Sequence, residues 1–416
     1  MKRFLKKAAA AAVSLALLCG MFPAAAAGAA SDEVEARLAS MTLREKVGQL
    51  FVVRPEALDL EKTSGGTMFP AAMQEHLVQY PVGGIVLFQK NITDADSMTA
   101  LIRAYQNASA TGLLVAVDEE GGTVARLANH SAFDLPKYAN AASIGATGDP
   151  EQARAMGYTI GSYLRLYGFN LDFAPVADVN SNPKNPVIGK RAFSSDPHVA
   201  AAMVSAAVEG FHEAGMLCTL KHFPGHGDTG EDSHSGTATT NQTWEEMQAA
   251  ALLPFEAGIA AGADVVMAAH ITTPNATKDG LPASLSYTML TERLRGELGF
   301  TGVICTDALE MKAISSHYAP ADAAVAALNA GADILLMPAD LCAAFEGVVQ
   351  AVETGAVAEE RLNESVRRIL TLKEKAGLPL GAAAAPAEEP PAPEAAEEAV
   401  PEKPSDCFGW LRAFWS

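Results

Sequence analysis

Short apolar runs bounded by polar or glycine-containing loops recur along the chain at 50–53, 84–88, 113–117, 170–174, 217–220, 265–269, 303–306 and 334–337. They are rich in Val, Ile, Leu and Phe and, 170–174 apart, lack polar alternation, which predicts strands buried on both faces. Between them, apolar residues at three- and four-residue spacing predict helices near 94–110, 150–167, 197–214, 244–261, 286–298, 320–330, 341–353 and 358–376. Two more helices are predicted ahead of the first strand, at 32–40 and 42–50, the second opened by Thr42 with Glu45 three residues on. Eight buried strands alternating with helices predict an α/β fold, a (β/α)8 TIM-type barrel in a single domain over 31–380. A doubly wound open sheet would carry a phosphate-binding glycine fingerprint after its first strand, and the sequence has none.

The two ends of the chain read differently. Lys2, Arg3, Lys6 and Lys7 precede an apolar run from Ala8 to Phe22 and a small-residue stretch from Ala24 to Ala30, the order of a signal peptide over 1–30. Leu18 before Cys19 is unlike the small residue that precedes a lipidated cysteine, so simple cleavage is expected. Residues 381–405 shift to Ala, Pro and Glu, a linker composition, and the aromatic 406–416 read either as a tail that associates with cell wall, membrane or a partner or as a chain end with no role. A secreted or cell-envelope location follows from this reading.

Without the four basic residues of the first 30, 26 basic side chains face 49 acidic ones, a formal charge of −23. Such a surface repels phosphate backbones, so nucleic-acid binding is excluded. Cys218, Cys305, Cys342 and Cys407 form no C-x-x-C pair, and the first two sit in strand-like runs as small buried hydrophobes.

In a barrel of this type the polar groups that do chemistry stand at the C-terminal ends of the strands. Asp118, Asp172, Asp178, Lys221, His222, His270 and Asp307 all fall there. The densest stretch is Leu220–His234, L-K-H-F-P-G-H-G-D-T-G-E-D-S-H, in which Pro224, Gly225, Gly227 and Gly230 forbid regular structure. His222 and His226 would share a face on a helix, but Pro224 and Gly225 exclude that helix, and no metal site or cofactor is expected. Asp232 and His234 are one residue apart, so in an extended loop the carboxylate can orient the imidazole as a general acid/base. Asp307 ends an apolar strand and reads either as a nucleophile or as the N-cap of the next helix. Asp118, with Gly121 and Gly122 close by and Arg126 beyond, reads as a hydroxyl-binding pair or as a loop staple, and Arg191 admits the same two readings.

Four segments, D-E-E-G-G-T-V-A-R, N-P-V-I-G-K-R-A-F, K-H-F-P-G-H-G-D-T-G-E-D-S-H and T-D-A-L-E-M, occur in this order. Together they resemble glycoside hydrolase family 3, and within it the β-N-acetylglucosaminidase branch, across 32–376. The resemblance implies that Asp307 is the nucleophile, that His234 is the acid/base with Asp232 as its partner, and that Asp118, Arg126, Arg191, Lys221 and His222 bind the sugar. Many relatives have R-S-F-G where this chain has Arg191, Ala192, Phe193 and Ser194, so the loop geometry there is expected to differ while the arginine is kept. Many relatives also carry a second domain; the site is expected to be complete within one domain here.

The function expected from this resemblance is a secreted, retaining exo-β-N-acetylhexosaminidase acting on β-N-acetylglucosaminides of peptidoglycan or chitin type. Two alternatives stand beside it. A histidine acid/base does not repel an incoming phosphate anion as a carboxylate would, which suits a β-N-acetylglucosaminide phosphorylase. A noncatalytic saccharide-binding protein would keep the barrel without turnover.

Overall fold

The computed structural model describes residues 30–231, 236 and 238–381. The predicted aromatic tail and nearly all of the predicted signal peptide and linker lie outside the described residues, as do Asp232 and His234.

Eight parallel strands form one sheet: β1 (Phe51–Val53), β2 (Gly84–Leu87), β3 (Leu114–Val117), β4 (Leu171–Asp172), β5 (Leu217–Phe223), β6 (Val265–Ala268), β7 (Val303–Thr306) and β8 (Leu335–Leu336). Spatial order follows chain order from β1 to β7, and β8 pairs with β1 through Phe51↔Leu335 and Val52↔Leu336. A bridge between Cys305 and Ile334 joins β7 to β8 and closes the ring, with Thr306 N donating to Ile334 O at 2.9 Å. The chain is therefore a (β/α)8 barrel, as its apolar periodicity predicts. Every residue of the eight strands is buried, because the interior is filled by side chains and the helices cover the outside.

The structure departs from the predicted elements where local chemistry overrides periodicity. The single helix expected over 244–261 is two, Trp244–Ala249 and Leu253–Ala260, because Pro254 cannot donate to a continuing helix but fits a first turn. The segment Thr288–Glu297 takes wide π-type turns. A helix at Ala71–Gln79 has no counterpart in the predicted set; it buries only Met73 and Leu77 and has no side-chain cap, which leaves too thin an apolar stripe to read. The Thr42–Glu45 capping box forms as expected, Glu45 Oε2 accepting from Thr42 N at 2.8 Å.

One buried charge works against the fold. Lys373, in the helix Glu359–Lys375, is fully buried, and its ammonium donates to Gln49 Oε1 at 2.6 Å. Burial, with some help from the Arg37 charge, lowers its ammonium from 10.5 to about 7. The unfolded chain then holds a proton that the folded chain has released at any pH between those values, so stability rises with pH across that window. Unfolding free energy measured by denaturant between pH 7.5 and 10 is expected to rise by about 1.4 kcal/mol per pH unit more in the wild type than in Lys373→Met.

Candidate active site

The C-terminal ends of the strands surround a cavity of about 450 Å³. Of the predicted site residues, Asp118, Arg126, Arg191, Lys221, His222 and Asp307 all line it. Asp118 and Asp307 follow directly on β3 and β7, so each carboxylate emerges where its strand leaves the barrel. Lys221 and His222 are consecutive yet both face the cavity. The pairing of β5 with β6 shifts register between Lys221 and Phe223, which breaks the alternation a regular strand would impose.

The cationic and anionic groups form one connected cradle. Lys221 Nζ donates to Asp118 Oδ1 at 2.8 Å and contacts Glu120 Oε1 at 2.6 Å. Arg191 grips Glu120 with both arms, Nε to Oε2 at 2.8 Å and Nη2 to Oε1 at 2.7 Å, a bidentate pairing that fixes the guanidinium plane. Arg126 Nη2 reaches Asp118 Oδ2 at 3.3 Å. Burial alone would push both carboxyls up, but Lys221, together with Arg126 for Asp118 and Arg191 for Glu120, outweighs it and leaves both below their ordinary values. The same carboxylates hold the Lys221 ammonium above its usual value despite burial. Asp118, Glu120 and Lys221 are therefore charged at neutral pH, and all three line the cavity.

His222 is held from behind. Its Nδ1 lies 2.7 Å from Asp178 Oδ2, and a carboxylate can only accept, so Nδ1 carries the hydrogen and Nε2 accepts from Arg191 Nη2 at 3.3 Å. Asp178 is fully buried and also accepts from the backbone N of His226 at 2.6 Å, which anchors the start of the histidine loop to the barrel. His226 Nδ1 lies 2.7 Å from Thr229 Oγ1; burial and the neighbouring His222 lower its pKa against the pull of Asp178. Gly227 is required by closeness: a Cβ there would stand 1.8 Å from Val179 O.

Asp307 Oδ1 accepts from Ala308 N at 2.8 Å. The next helix starts only at Lys312, with Met311 at its cap, so Asp307 is not a helix N-cap. His270 buttresses the adjacent backbone, its Nε2 lying 2.9 Å from Ala308 O.

Asp172 corrects one expectation. It ends β4 but does not line the cavity; Phe173 does, and Asp172 turns to the other side, where its Oδ1 accepts from Glu119 N at 3.0 Å. Its burial raises its pKa well above the ordinary aspartate value. Glu120, Glu310 and His226 line the cavity and were given no role there by the sequence, whereas Asp178, expected at the strand end, stands behind His222 and does not line the cavity. Glu310 lines the rim, paired with Arg54. Among the described residues no group of three or more His, Cys, Asp or Glu donors around the cavity is close enough to share an ion.

Residues 42–372 match the family described as Glycosyl hydrolase family 3 N terminal domain. The chain belongs to glycosyl hydrolase family 3. Within the family it is 39% identical over 338 residues to beta-hexosaminidase A of Pseudoalteromonas piscicida, covering 74% of this chain and 56% of that protein. It is 41% identical over 276 residues to a beta-hexosaminidase of Stenotrophomonas maltophilia strain K279a, covering 65% and 81%. The solved family 3 β-N-acetylglucosaminidase of Paenibacillus sp. str. FPU-7 superposes with a TM-score of 0.73 at 38% identity, over 81% of this chain and 63% of that one. The chain thus spans little more than half of the first of these relatives and under two thirds of the solved one.

Proposed function

We propose that this family 3 chain is an exo-acting β-N-acetylglucosaminidase that releases terminal β-linked N-acetylglucosamine with retained configuration. The observation that carries the reading is Asp307 on the wall of the same small cavity as the Asp118, Lys221, Arg191 and His222 cradle. A sugar ring held there by charge-assisted hydrogen bonds to its hydroxyls would meet a carboxylate at its edge. Asp307 attacks the anomeric carbon, the glycosidic bond breaks, and His234 gives its proton to the leaving oxygen. Water deprotonated by the same imidazole then cleaves the glycosyl ester, returning Asp307 to the carboxylate. Asp232 orients His234, both on the loop that Asp178 tethers through His226.

The substrate class, short β-N-acetylglucosaminides of peptidoglycan or chitin type, and secretion through the predicted signal peptide, complete the proposal. Hydrolysis of an aryl β-N-acetylglucosaminide is expected to exceed that of the aryl β-glucoside and to be unaffected by inorganic phosphate. Strong acceleration by phosphate would move the assignment to a phosphorylase, and binding of the N-acetyl sugar without turnover would make the chain a saccharide-binding protein. His234→Ala is expected to lose far more rate on an alkyl or sugar leaving group than on an activated aryl one, since only the former needs a proton. Equal loss on both would remove His234 from the acid role.

A further inference from the structure

At the barrel end opposite the cavity, three side chains of different chemistry converge. His212 lies in the last turn of the helix Pro197–Glu213, Cys218 is the second residue of β5, and Asp264 immediately precedes β6. His212 Nε2 is 2.9 Å from Asp264 Oδ2 and 3.8 Å from Cys218 Sγ, and all three donor atoms lie within 4.8 Å of one another. Cys218 is fully buried and Asp264 nearly so, while the His212 side chain is 26% exposed and gives an entry path.

A nitrogen, a thiolate sulfur and a carboxylate oxygen bound to one tetrahedral zinc ion stand about 3.3 Å (N···O) and about 3.5 Å (N···S) apart, given bond lengths near 2.0 and 2.3 Å. The two separations in the structure bracket those edges within a few tenths of an ångström, so small side-chain shifts would turn the triangle into one face of a tetrahedron. The outer groups suit such a face. Cys218 N donates to Asp264 Oδ2 at 3.0 Å and Lys375 donates to Oδ1, which fixes the carboxylate plane as second partners of a ligand do. The mixed N, S, O donor set favours a borderline ion over magnesium or calcium, which prefer oxygen.

We propose that His212, Cys218 and Asp264 form a binding site for one zinc-class divalent cation, remote from the catalytic cavity, with water as the fourth ligand. Binding releases the thiol proton of Cys218 to solvent and moves the hydrogen that His212 Nε2 gives to Asp264 over to Nδ1, which frees the Nε2 lone pair for the ion and leaves no redox change. The ion would tie the helix Pro197–Glu213 to the starts of β5 and β6.

Cobalt(II) titrated into the full chain under reducing conditions tests this, because a cobalt–thiolate bond gives a near-ultraviolet charge-transfer band that histidine and carboxylate ligands cannot. One equivalent of cobalt is expected to develop the band, zinc to bleach it, and both Cys218→Ala and His212→Gln to lack it. The partly exposed His212 position keeps the test open should the buried Cys218 variant fail to fold. Absence of the band in the wild-type chain, or its survival in either folded variant, would overturn the site.

Discussion

Replacing Asp307 by alanine is expected to lower kcat on an aryl β-N-acetylglucosaminide by about four orders of magnitude or more, with binding of the product sugar almost unchanged. The reasoning is local. Asp307 stands at the end of β7, where its Oδ1 accepts from its neighbour Ala308 N. The cradle of Asp118, Glu120, Arg191 and Lys221 closes on itself through its own contacts. The variant should therefore fold and still bind sugar while losing the atom that forms the glycosyl ester. Azide, small enough for the volume vacated by the carboxylate, is expected to restore turnover and to give the α-linked glycosyl azide, since it attacks from the side Asp307 occupied. Rescue with the β-linked product would instead make Asp307 a base that activates water.

The second large effect is expected from Glu120→Ala. This carboxylate is 6% exposed and sits between two cations, Lys221 at 2.6 Å and Arg191 in bidentate contact. Its removal leaves Arg191 without its carboxylate and Lys221 with Asp118 alone, a cost of about 3–5 kcal/mol in unfolding free energy, readable by denaturant titration. Misaligned Arg191 and Lys221 should also raise KM more than they lower kcat on activated substrates. Acid adds a second readout. Because Asp118 and Glu120 are held below their usual values, their stabilisation is complete above about pH 5 and is lost as pH falls below the ordinary carboxylate values through the depressed folded ones. Glu120→Ala is expected to show a shallower loss of stability over that range than the wild type.

Much of this was legible in the sequence, and the reasons it was or was not are physical. A barrel strand buried on both faces reads as an uninterrupted apolar run, so a charged residue at its end, such as Asp307 or Lys221, stands out. Glu120 does not, because it follows two other acidic residues in V-D-E-E-G-G. Which of the three faces the cavity is set by the short hairpin of Glu119–Gly121 with Val124–Ala125, turned by Gly121 and Gly122 at φ of 81° and 66°. Asp172 misled for the opposite reason. Strand alternation sends Phe173 to the cavity and Asp172 behind it, a parity that the apolar run did not disclose. Asp178 lies beyond β4 in irregular chain, where no periodicity indicates which backbone amides a carboxylate will meet. The Asp232 and His234 roles rest on the motif they share with the family.

The seam between β8 and β1 carries one further meaning. Ser31 Oγ donates to Glu374 Oε1 at 2.5 Å, so the beginning and the end of the described fold touch. The ring is closed there by backbone hydrogen bonds, among them Leu335 N to Leu50 O at 2.7 Å, and not by covalent continuity. The barrel accordingly has no privileged first strand. Joining residues near 31 and 374 with a short peptide and cutting the exposed turn at Gly148, whose surroundings are open, would yield a circular permutant with every strand pairing retained.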